Sequence, residues 1–192
     1  MNLQSPSQSD WEDMSKMYWR WFYSIPRTND HPCVDTTSKH LSKGQNDPNL
    51  FFLPGACRED NKRRATIDAK GKRIFMPILV VSFTEPERPN TDLIKAAKED
   101  INGMTFTECD TSDGIIVQDE RRVAVPELFE VDIESPPYFT NTKAGKKQKA
   151  SSDGYWLLTE PLKEGFHTII TSGQTKEDDQ FYGSVTYHLE VK

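Results

Sequence analysis

Hydrophobic residues form one long run, at residues 73–83 (RIFMPILVVSF), and this run predicts the central strand of the fold. A strand with one exposed face would alternate apolar and polar residues, and this run does not, so we expect it to be covered on both faces. Pro77 cannot donate a ladder hydrogen bond, which predicts a bulge or bend there. A bend would turn Ile74, Met76 and Ile78 toward an N-terminal helix.

An aromatic-rich helix is predicted near the N-terminus, after a flexible arm at residues 1–9. Ser9 or Asp10 is placed to cap it, and apolar residues recur at helical spacing until Pro26 ends the run. The apolar stripe covers more than half of the circumference, so the helix should be buried on two sides or offer a face to a partner. A second short helix follows, with Thr91 as its predicted N-cap.

The other apolar segments are short and are separated by turn residues, as β-strands are. In the last one, alternation places Val185, Tyr187, Leu189 and Val191 on one face and leaves Thr186, His188 and Glu190 on the other. Residues 62–64 are interpreted as a basic, mobile segment, and residues 134–153 as a polar insertion with a solvated Lys run. The predicted strands lie at residues 50–53, 65–69, 73–83, 104–109, 114–118, 121–125, 128–133, 155–159, 166–173 and 184–192.

Short strands with only two helices, and no alternation of strand and helix, predict a mostly β (α+β) protein. The expected architecture is an antiparallel β-sandwich or a jelly-roll-like barrel, with the aromatic helix packed on it and the last two strands forming a hairpin. Residues 10–192 are predicted to be a single domain, because a chain of 192 residues fits one hydrophobic core.

Charge and composition narrow the function classes. The net charge of −6 and the pI near 5.3 favour a soluble, acidic protein and argue against a nucleic-acid surface, which needs clustered Lys and Arg. No apolar run approaches the roughly 20 residues of a membrane-spanning helix, and no signal peptide is visible. These features predict a cytoplasmic monomer or homodimer, with an exported mature fragment as the alternative.

The cysteines leave two redox states open. Cys33, Cys57 and Cys109 cannot all pair within one chain. Reduced thiols in a cytoplasmic protein are the simplest interpretation, and one disulfide with one free thiol is the alternative.

Candidate catalytic chemistry is concentrated in the long loop at residues 26–48. Its side chains include types that ligate zinc, although their spacing matches no standard site. A thiol nucleophile pairing Cys33 or Cys57 with His167 or His188 is also possible. A metal-dependent or thiol hydrolase that uses residues 30–40 is therefore the alternative function. Its candidate metal ligands are His31, Cys33, Asp35 and His40.

Binding without catalysis is the leading hypothesis, although the sequence leaves open whether the chain is an enzyme. No phosphate loop, nucleophile elbow or dinucleotide fingerprint is present, and no cofactor is predicted. Tyr155 and Trp156 open a strand and point to opposite faces, so one of them is a candidate exposed aromatic for a carbohydrate, a small apolar ligand or a protein partner. The candidate ligand-binding residues are Trp19, Asp35, Gln45, Tyr155, Trp156 and His167.

Several motifs together carry a resemblance to a known family. They are WRWFYSIP at 19–26, Gly44-Gln45, FFLPG at 51–55, GKRIFMP at 71–77, DGYWLL at 153–158 and the closing VTYHLEV. The chain resembles an uncharacterised prokaryotic family whose members are often exported and have a Trp-rich opening that ends in S-I-P, a G-Q, an F-F-L-x-G, a G-K-x-I-F-x-P and a closing Y-x-L-x-V. The resemblance covers most of the chain and implies no assigned activity.

The cysteine positions depart from the family pattern. The family has cysteines shortly before the G-Q and shortly before the G-K, and the nearest positions here are Leu41 and Ala65. Loss of both partners suits a reducing compartment, because a single remaining thiol gains nothing from an oxidising one. The resemblance therefore predicts three free thiols.

Overall fold

The computed structural model describes residues 5–26, 28–29, 31–35, 37–55, 61–85, 88–112, 117–134, 146–175 and 181–192. These residues form two helices and ten strands. The elements are α1 (Gln8–Ser24), β1 (Leu50–Phe52), β2 (Asn61–Ile67), β3 (Arg73–Val81), α2 (Leu93–Asn102), β4 (Met104–Ser112), β5 (Val117–Ala124), β6 (Phe129–Ile133), β7 (Lys146–Ala150), β8 (Asp153–Thr159), β9 (Gly165–Thr175) and β10 (Phe181–Val191).

The protein is built in three layers. Sheet 1 has the strand order β1-β3-β8-β5, and sheet 2 has the order β2-β10-β9-β4. Helix α1 packs on one face of sheet 1 through a cluster that includes Trp19, Phe75 and Trp156. Sheet 2 packs on the other face, where Ile74 and Ile169 share a second cluster. The predicted mostly β architecture with an aromatic N-terminal helix is confirmed, and the jelly-roll alternative stays a prediction.

Strand β3 accounts for the long apolar run, because both of its faces are covered. Ile74, Met76 and Ile78 pack against sheet 2, whereas Phe75 packs under α1. The register between β3 and β8 shifts directly after Pro77, as the proline predicted. The predicted direction of the bend is wrong, because the three residues expected to face the helix lie in the sandwich interior.

Sheet 2 shows the alternation of a sheet with one covered face. In β10, Val185, Tyr187, Leu189 and Val191 are buried, as the sequence predicted. β9 and β10 pair antiparallel and confirm the predicted final hairpin. The opposite face of these strands is turned away from sheet 1, and its side chains are exposed or partly exposed among the described residues.

Helix α1 begins earlier than predicted. Ser7, rather than Ser9 or Asp10, is the N-cap: its Oγ accepts from the Asp10 backbone N–H at 3.2 Å, and the Asp10 carboxylate accepts from the Ser7 backbone N–H at 2.8 Å. This reciprocal pair is a capping box. The end of the predicted 1–9 arm is therefore helical, and residues 1–4 lie outside the described residues.

Helix α2 also begins at a different cap. The Asp92 side chain, rather than Thr91, accepts from the Lys95 backbone N–H at 3.1 Å. The helix packs beside β3, β4 and β8.

Both four-stranded sheets are mostly antiparallel, as predicted, and each also has one parallel pair at its edge, which the sequence did not predict. β1 pairs parallel with β3, and β10 pairs parallel with β2. Parallel neighbours need a crossover connection. Between β1 and β3, which both belong to sheet 1, the chain crosses to sheet 2 and forms β2. This excursion is the crossover connection of the first parallel pair.

Three segments differ from their predictions. Residues 62–64 belong to β2 and are not a mobile segment, since Arg63 is fully buried. The two strands predicted at 114–118 and 121–125 are one strand, β5. The Lys run at 146–149 forms β7, which pairs antiparallel with β6. The rest of the predicted insertion, at residues 135–145, lies outside the described residues.

Candidate functional site

The two predicted tryptophans lie in the core and not on a binding surface. Trp156 is fully buried, and its ring stacks on Phe75 with centroids 4.9 Å apart. Trp19 lies edge-on to Trp156 at 6.3 Å and donates its indole N–H to Ser152 Oγ at 2.8 Å. Tyr155 points to the opposite face, as predicted, but it is half-buried against the sandwich. None of the three is the exposed aromatic that was expected.

Gln45 has an architectural role at the edge of sheet 1. Its amide oxygen accepts from the Phe52 backbone N–H at 2.9 Å, and its amide nitrogen donates to the Phe52 carbonyl at 2.8 Å. The side chain thus bonds to edge strand β1 as a neighbouring strand would, which protects an otherwise open edge. The preceding Gly44 has φ +69°, and a Cβ there would lie 3.2 Å from the Trp21 ring.

The predicted metal ligands His31 and Asp35 bond to the loop and to helix α1. His31 is buried; its Nε2 is 3.1 Å from the Phe22 carbonyl oxygen, and its Nδ1 accepts from the Cys33 backbone N–H at 3.1 Å. The Asp35 carboxylate accepts from Thr37 Oγ1 and from the backbone N–H groups of Thr37 and His40, and it lies 3.0 Å from His40 Nδ1. These hydrogen bonds fold the loop around an Asx-type turn.

The Asp35 carboxyl is tuned by this environment. Burial by itself raises the pKa of Asp35, but the hydrogen bonds from Thr37 and His40 outweigh burial and lower the pKa from 3.8 to about 2. The ionised form therefore stabilises the loop at neutral pH.

Cys33 is disulfide-bonded, so the expectation of three reduced thiols is wrong and the alternative of one disulfide applies. Its partner lies among the side chains that are not described. A disulfide sulfur cannot act as a thiolate ligand or nucleophile, which removes Cys33 from both catalytic alternatives. In the described part of the chain, no group of three or more His, Cys, Asp or Glu side chains could hold a metal ion.

A buried arginine fastens the same loop to sheet 2. The Arg63 guanidinium is fully buried and donates to the carbonyls of Pro32 at 2.5 Å and Cys33 at 3.1 Å. It also lies 5.7 Å from the centre of the Tyr187 ring. The Tyr187 hydroxyl donates to the Pro54 carbonyl at 2.9 Å, and burial raises the pKa of Tyr187.

The face of sheet 2 that is turned away from sheet 1 carries side chains that do not hold the 26–48 loop or the edge strand in place. Register aligns them in three rows across β2, β10 and β9. We call this surface, on β2, β10 and β9, the outer face of sheet 2; the side chains of residues 105–112 in β4 lie outside the described ones. Its rows are Lys62, Thr186 and Ile170; Arg64, His188 and Thr168; and Thr66, Glu190 and Phe166.

Phe166 is the dominant apolar group of this surface. Its side chain is 74% exposed, whereas Leu128, the other exposed large hydrophobic side chain of the described residues, is 37% exposed. Phe166 lines a cleft of about 480 Å³ together with Arg64, His188 and Glu190. His167, a predicted ligand-binding residue, also lines this cleft, although it is buried and lies 2.8 Å from the Lys163 carbonyl oxygen through its Nε2.

Within the described residues, the two cationic side chains of the outer face have no partner, whereas its carboxylate has two. Arg64 and Lys62 are exposed and have no hydrogen-bond or ion-pair partner among the described residues. The Glu190 carboxylate accepts from Thr66 Oγ1 at 2.7 Å and lies 3.9 Å from Lys192 Nζ. The surface therefore offers one unpaired cation, Arg64, in the same cleft as the exposed Phe166 ring, and a second, Lys62, two residues away on β2.

Two further clefts, of about 550 and 590 Å³, lie beside α1 and share Met17 and Asp47. Most of their acidic groups have partners among the described residues. Asp47 Oδ1 accepts from the Leu50 backbone N–H at 2.7 Å, and Glu130 lies 3.9 Å from Lys147 Nζ. These clefts resemble the cleft beside Phe166 in size but are lined by no strongly exposed aromatic ring.

Sequence reasoning missed Phe166, although the signal is present. Residues His167, Ile169 and Thr171 alternate as the buried face of β9, which turns Phe166 outward. The same alternation correctly turned His188 and Glu190 outward.

Comparisons with known proteins find only distant structural similarity. No family model matches the chain, and no curated protein matches it. The crystal structure of the cysteine protease inhibitor EhICP2 from Entamoeba histolytica aligns with 76% of this chain and 100% of its own, at 13% identity and a TM-score of 0.36. The solution structure of Amebosin aligns with 75% of this chain and 100% of its own, at 8% identity and a TM-score of 0.24. Neither described helix is long and apolar enough to cross a lipid bilayer.

Proposed function

We propose that the protein is a non-catalytic binding module that holds its ligand on the outer face of sheet 2. The observation that carries the proposal is Phe166, whose 74% exposed ring stands on a regular strand. Single exposed apolar side chains are common on proteins. Phe166 differs because it lines a cleft together with the unpaired Arg64, and Lys62 lies two residues before Arg64 on the same face of β2. A convergence of apolar and polar groups is typical of binding sites.

The contacts of the loop at 26–48 favour binding over the hydrolase alternative. His31 bonds to the Phe22 carbonyl of helix α1 and to the Cys33 backbone, Asp35 bonds within the loop, and Cys33 is disulfide-bonded. A nucleophile or a metal ligand needs a free lone pair directed at a substrate or ion. These residues support the fold instead.

We also propose that the protein works in an oxidising compartment, as an exported protein. The disulfide at Cys33 supports this location, because disulfides persist outside the reducing cytoplasm. The family that the chain resembles has members that are often exported.

The family resemblance itself stays a proposal, and contacts between its motifs support it. Gly44 lies against Trp21 of the WRWFYSIP motif, and Gln45 bonds to Phe52 of FFLPG. Tyr187 of the closing motif bonds to Pro54. We propose that these motifs join helix, edge strand and sandwich, and do not form the ligand site.

Ligand arrays test the proposed function. Glycan and peptide arrays are probed with the wild type, with Phe166→Ala and with Leu128→Ala, the matched control on the other exposed hydrophobic residue. We expect one ligand that the wild type and Leu128→Ala bind alike and that Phe166→Ala binds about tenfold or more weakly, since seating one aromatic side chain is worth about 1.5–3 kcal/mol. Arrays without any ligand, or equal binding by both variants, would show the proposal to be wrong.

A further inference from the structure

We infer that the ligand of the outer face of sheet 2 is an acidic polypeptide segment with an apolar side chain, that is, part of a partner protein. The inference rests on the proposed function of this face. It adds the chemical class of the ligand, which follows from the charge, the geometry and the hydrogen-bonding capacity of the surface.

Charge is the first argument. The chain has a net charge of −6, yet the row positions on β2 place Lys62 and Arg64 side by side on the outer face. Neither cation is paired within the described residues. Glu190 is the one carboxylate among the nine side chains of the outer face; it accepts a hydrogen bond from Thr66 and lies 3.9 Å from Lys192 Nζ. Two unpaired cations attract an acidic partner and repel the same face of a second copy of the chain.

Geometry sets the length of the ligand. The cations lie on β2 and the apolar side chains Phe166 and Ile170 on β9, with β10 between them. Neighbouring strands are about 4.8 Å apart, so a ligand that touches both columns spans roughly 10 Å. An extended polypeptide covers that distance with about three residues.

Hydrogen-bonding capacity distinguishes a polypeptide from a glycan. Sugar hydroxyl groups both donate and accept, so they need free groups of both kinds. Thr66 already donates to Glu190, and Thr168 Oγ1 lies 3.2 Å from His188 Nδ1. Arg64 and Lys62, the charged groups without a partner among the described residues, only donate, which suits carboxylates, and the Arg64 fork can bind one in a bidentate way. Thr186 keeps one hydroxyl that can both donate and accept, whereas a sugar ring presents several.

The side-chain types agree with a protein partner. Aromatic residues and Arg are enriched at the centres of protein–protein interfaces, where they contribute most of the binding energy. Phe166 has no polar atom, so its contribution is apolar contact, and a Phe, Tyr or Leu of the partner is the matching group.

The inference is tested with immobilised probes of defined chemistry. The acidic peptide EEFEEFEE is compared with EEEEEEEE, which lacks the apolar groups, with KKFKKFKK, which reverses the charge, and with polygalacturonate, an acidic glycan. We expect the wild type to bind EEFEEFEE most tightly and to lose affinity as salt is added. Phe166→Ala should bind EEFEEFEE and EEEEEEEE equally.

Charge reversal provides the second arm. The double variant Lys62→Glu/Arg64→Glu should bind EEFEEFEE about tenfold or more weakly, since two attractions become repulsions. The matched control is Lys39→Glu/Lys98→Glu, which changes the net charge equally at two exposed lysines elsewhere. Its binding should change less than about twofold. Thermal unfolding confirms that each variant is folded.

Four results would overturn the inference: no binding of EEFEEFEE, equal or tighter binding of polygalacturonate, equal loss in both double variants, or an unchanged peptide preference in Phe166→Ala. If the arrays nevertheless yield another Phe166-dependent ligand, the proposed function stands and only the ligand class is wrong. If no ligand of any class depends on Phe166, both are wrong.

Discussion

Three polar side chains fasten the long loop at residues 26–48 to the rest of the molecule. Arg63 bonds to its carbonyls, Asp35 organises its turn, and Gln45 bonds to the edge strand. Each one supplies hydrogen bonds to backbone groups that water cannot reach freely, and leaving such groups unpaired costs about 1–3 kcal/mol each. The reactive residue types that made this loop a catalytic candidate are therefore explained by its folding.

Arg63 and Arg64 form a natural matched pair, because one is fully buried and the next is exposed. We expect Arg63→Met to lower the free energy of unfolding by about 3 kcal/mol or more, since two buried carbonyls lose their donor. Arg64→Met should change it by less than about 0.5 kcal/mol, as at other exposed sites. Urea unfolding of the two variants measures the difference, and similar losses would contradict the anchoring role of Arg63.

The lowered pKa of Asp35 predicts a dependence of stability on pH. The carboxyl has a pKa of about 2 in the folded protein against 3.8 as its ordinary value. A lowered pKa stabilises the fold above the ordinary value, and this contribution of about 2 kcal/mol is lost as the pH falls from 3.8 toward 2.

The variant Asp35→Asn isolates that contribution. It should be about 2 kcal/mol less stable than the wild type at pH 7, and the difference should shrink as the pH approaches 2. Denaturant unfolding over this pH range is the measurement, with Asp68→Asn as an exposed control. A difference that stays constant with pH would show that ionised Asp35 is not the cause.

At the scale of elements, sequence patterns predicted what is local. The apolar periodicity of α1, the covered faces of β3 and the alternation of β10 all follow from side-chain spacing along one element. The parallel pairs β1 with β3 and β2 with β10 were not predicted, because strand pairing is decided by long-range contacts that no local pattern records.

Strand β2 was predicted only in part and β7 not at all, for one reason. In β2, the inward positions include Arg63, and in β7 they are Gln148 and Ala150, so the expected alternation of apolar and polar residues is absent. The alternation of burial is nevertheless present in both strands. A polar side chain that is satisfied by hydrogen bonds can occupy a core position, and the sequence does not show where its partners are.

Close packing of β8 against β3 depends on one glycine. Gly154 has φ +153°, and a Cβ there would lie 2.5 Å from the Leu79 carbonyl oxygen and the Val80 Cα. Gly165 has φ +134°, and a Cβ at that position would meet nothing within 4 Å, so Gly165 controls for backbone strain alone.

Alanine at these two glycines separates strain from contact. Gly165→Ala should cost about 1–3 kcal/mol for its unfavourable φ. Gly154→Ala should cost about 2 kcal/mol more, because backbone atoms must move to admit the methyl group. Equal losses in thermal or urea unfolding would mean that the close approach of the two strands does not matter.

At the scale of the whole molecule, the sequence predicted the layered sandwich but not the position of the candidate ligand surface. Trp19 and Trp156 were expected at a binding surface, yet they form the core between α1 and sheet 1. The binding candidate is instead the far side of the molecule, where Phe166 was overlooked because an apolar residue in a strand is ordinarily core. Burial depends on which layer covers a face, and that is settled only by the complete fold.

The disulfide gives a prediction for the intact chain. With three cysteines and Cys33 disulfide-bonded, the denatured, unreduced protein should expose one thiol per chain. Cys33→Ser should expose two thiols, since it frees the partner cysteine. Thiol titration checks both numbers, and three thiols in the unreduced wild type would contradict the disulfide.

The central claim is that the outer face of sheet 2 is the ligand surface, and a backbone NMR titration tests it most directly. Labelled protein is titrated with EEFEEFEE, and amide shifts are mapped on the fold. We predict that the largest shifts fall in β2, β9 and β10, around Arg64, Phe166 and His188. Shifts concentrated along α1, near Met17 and Asp47, would contradict the account and place the ligand on the helix side of the molecule.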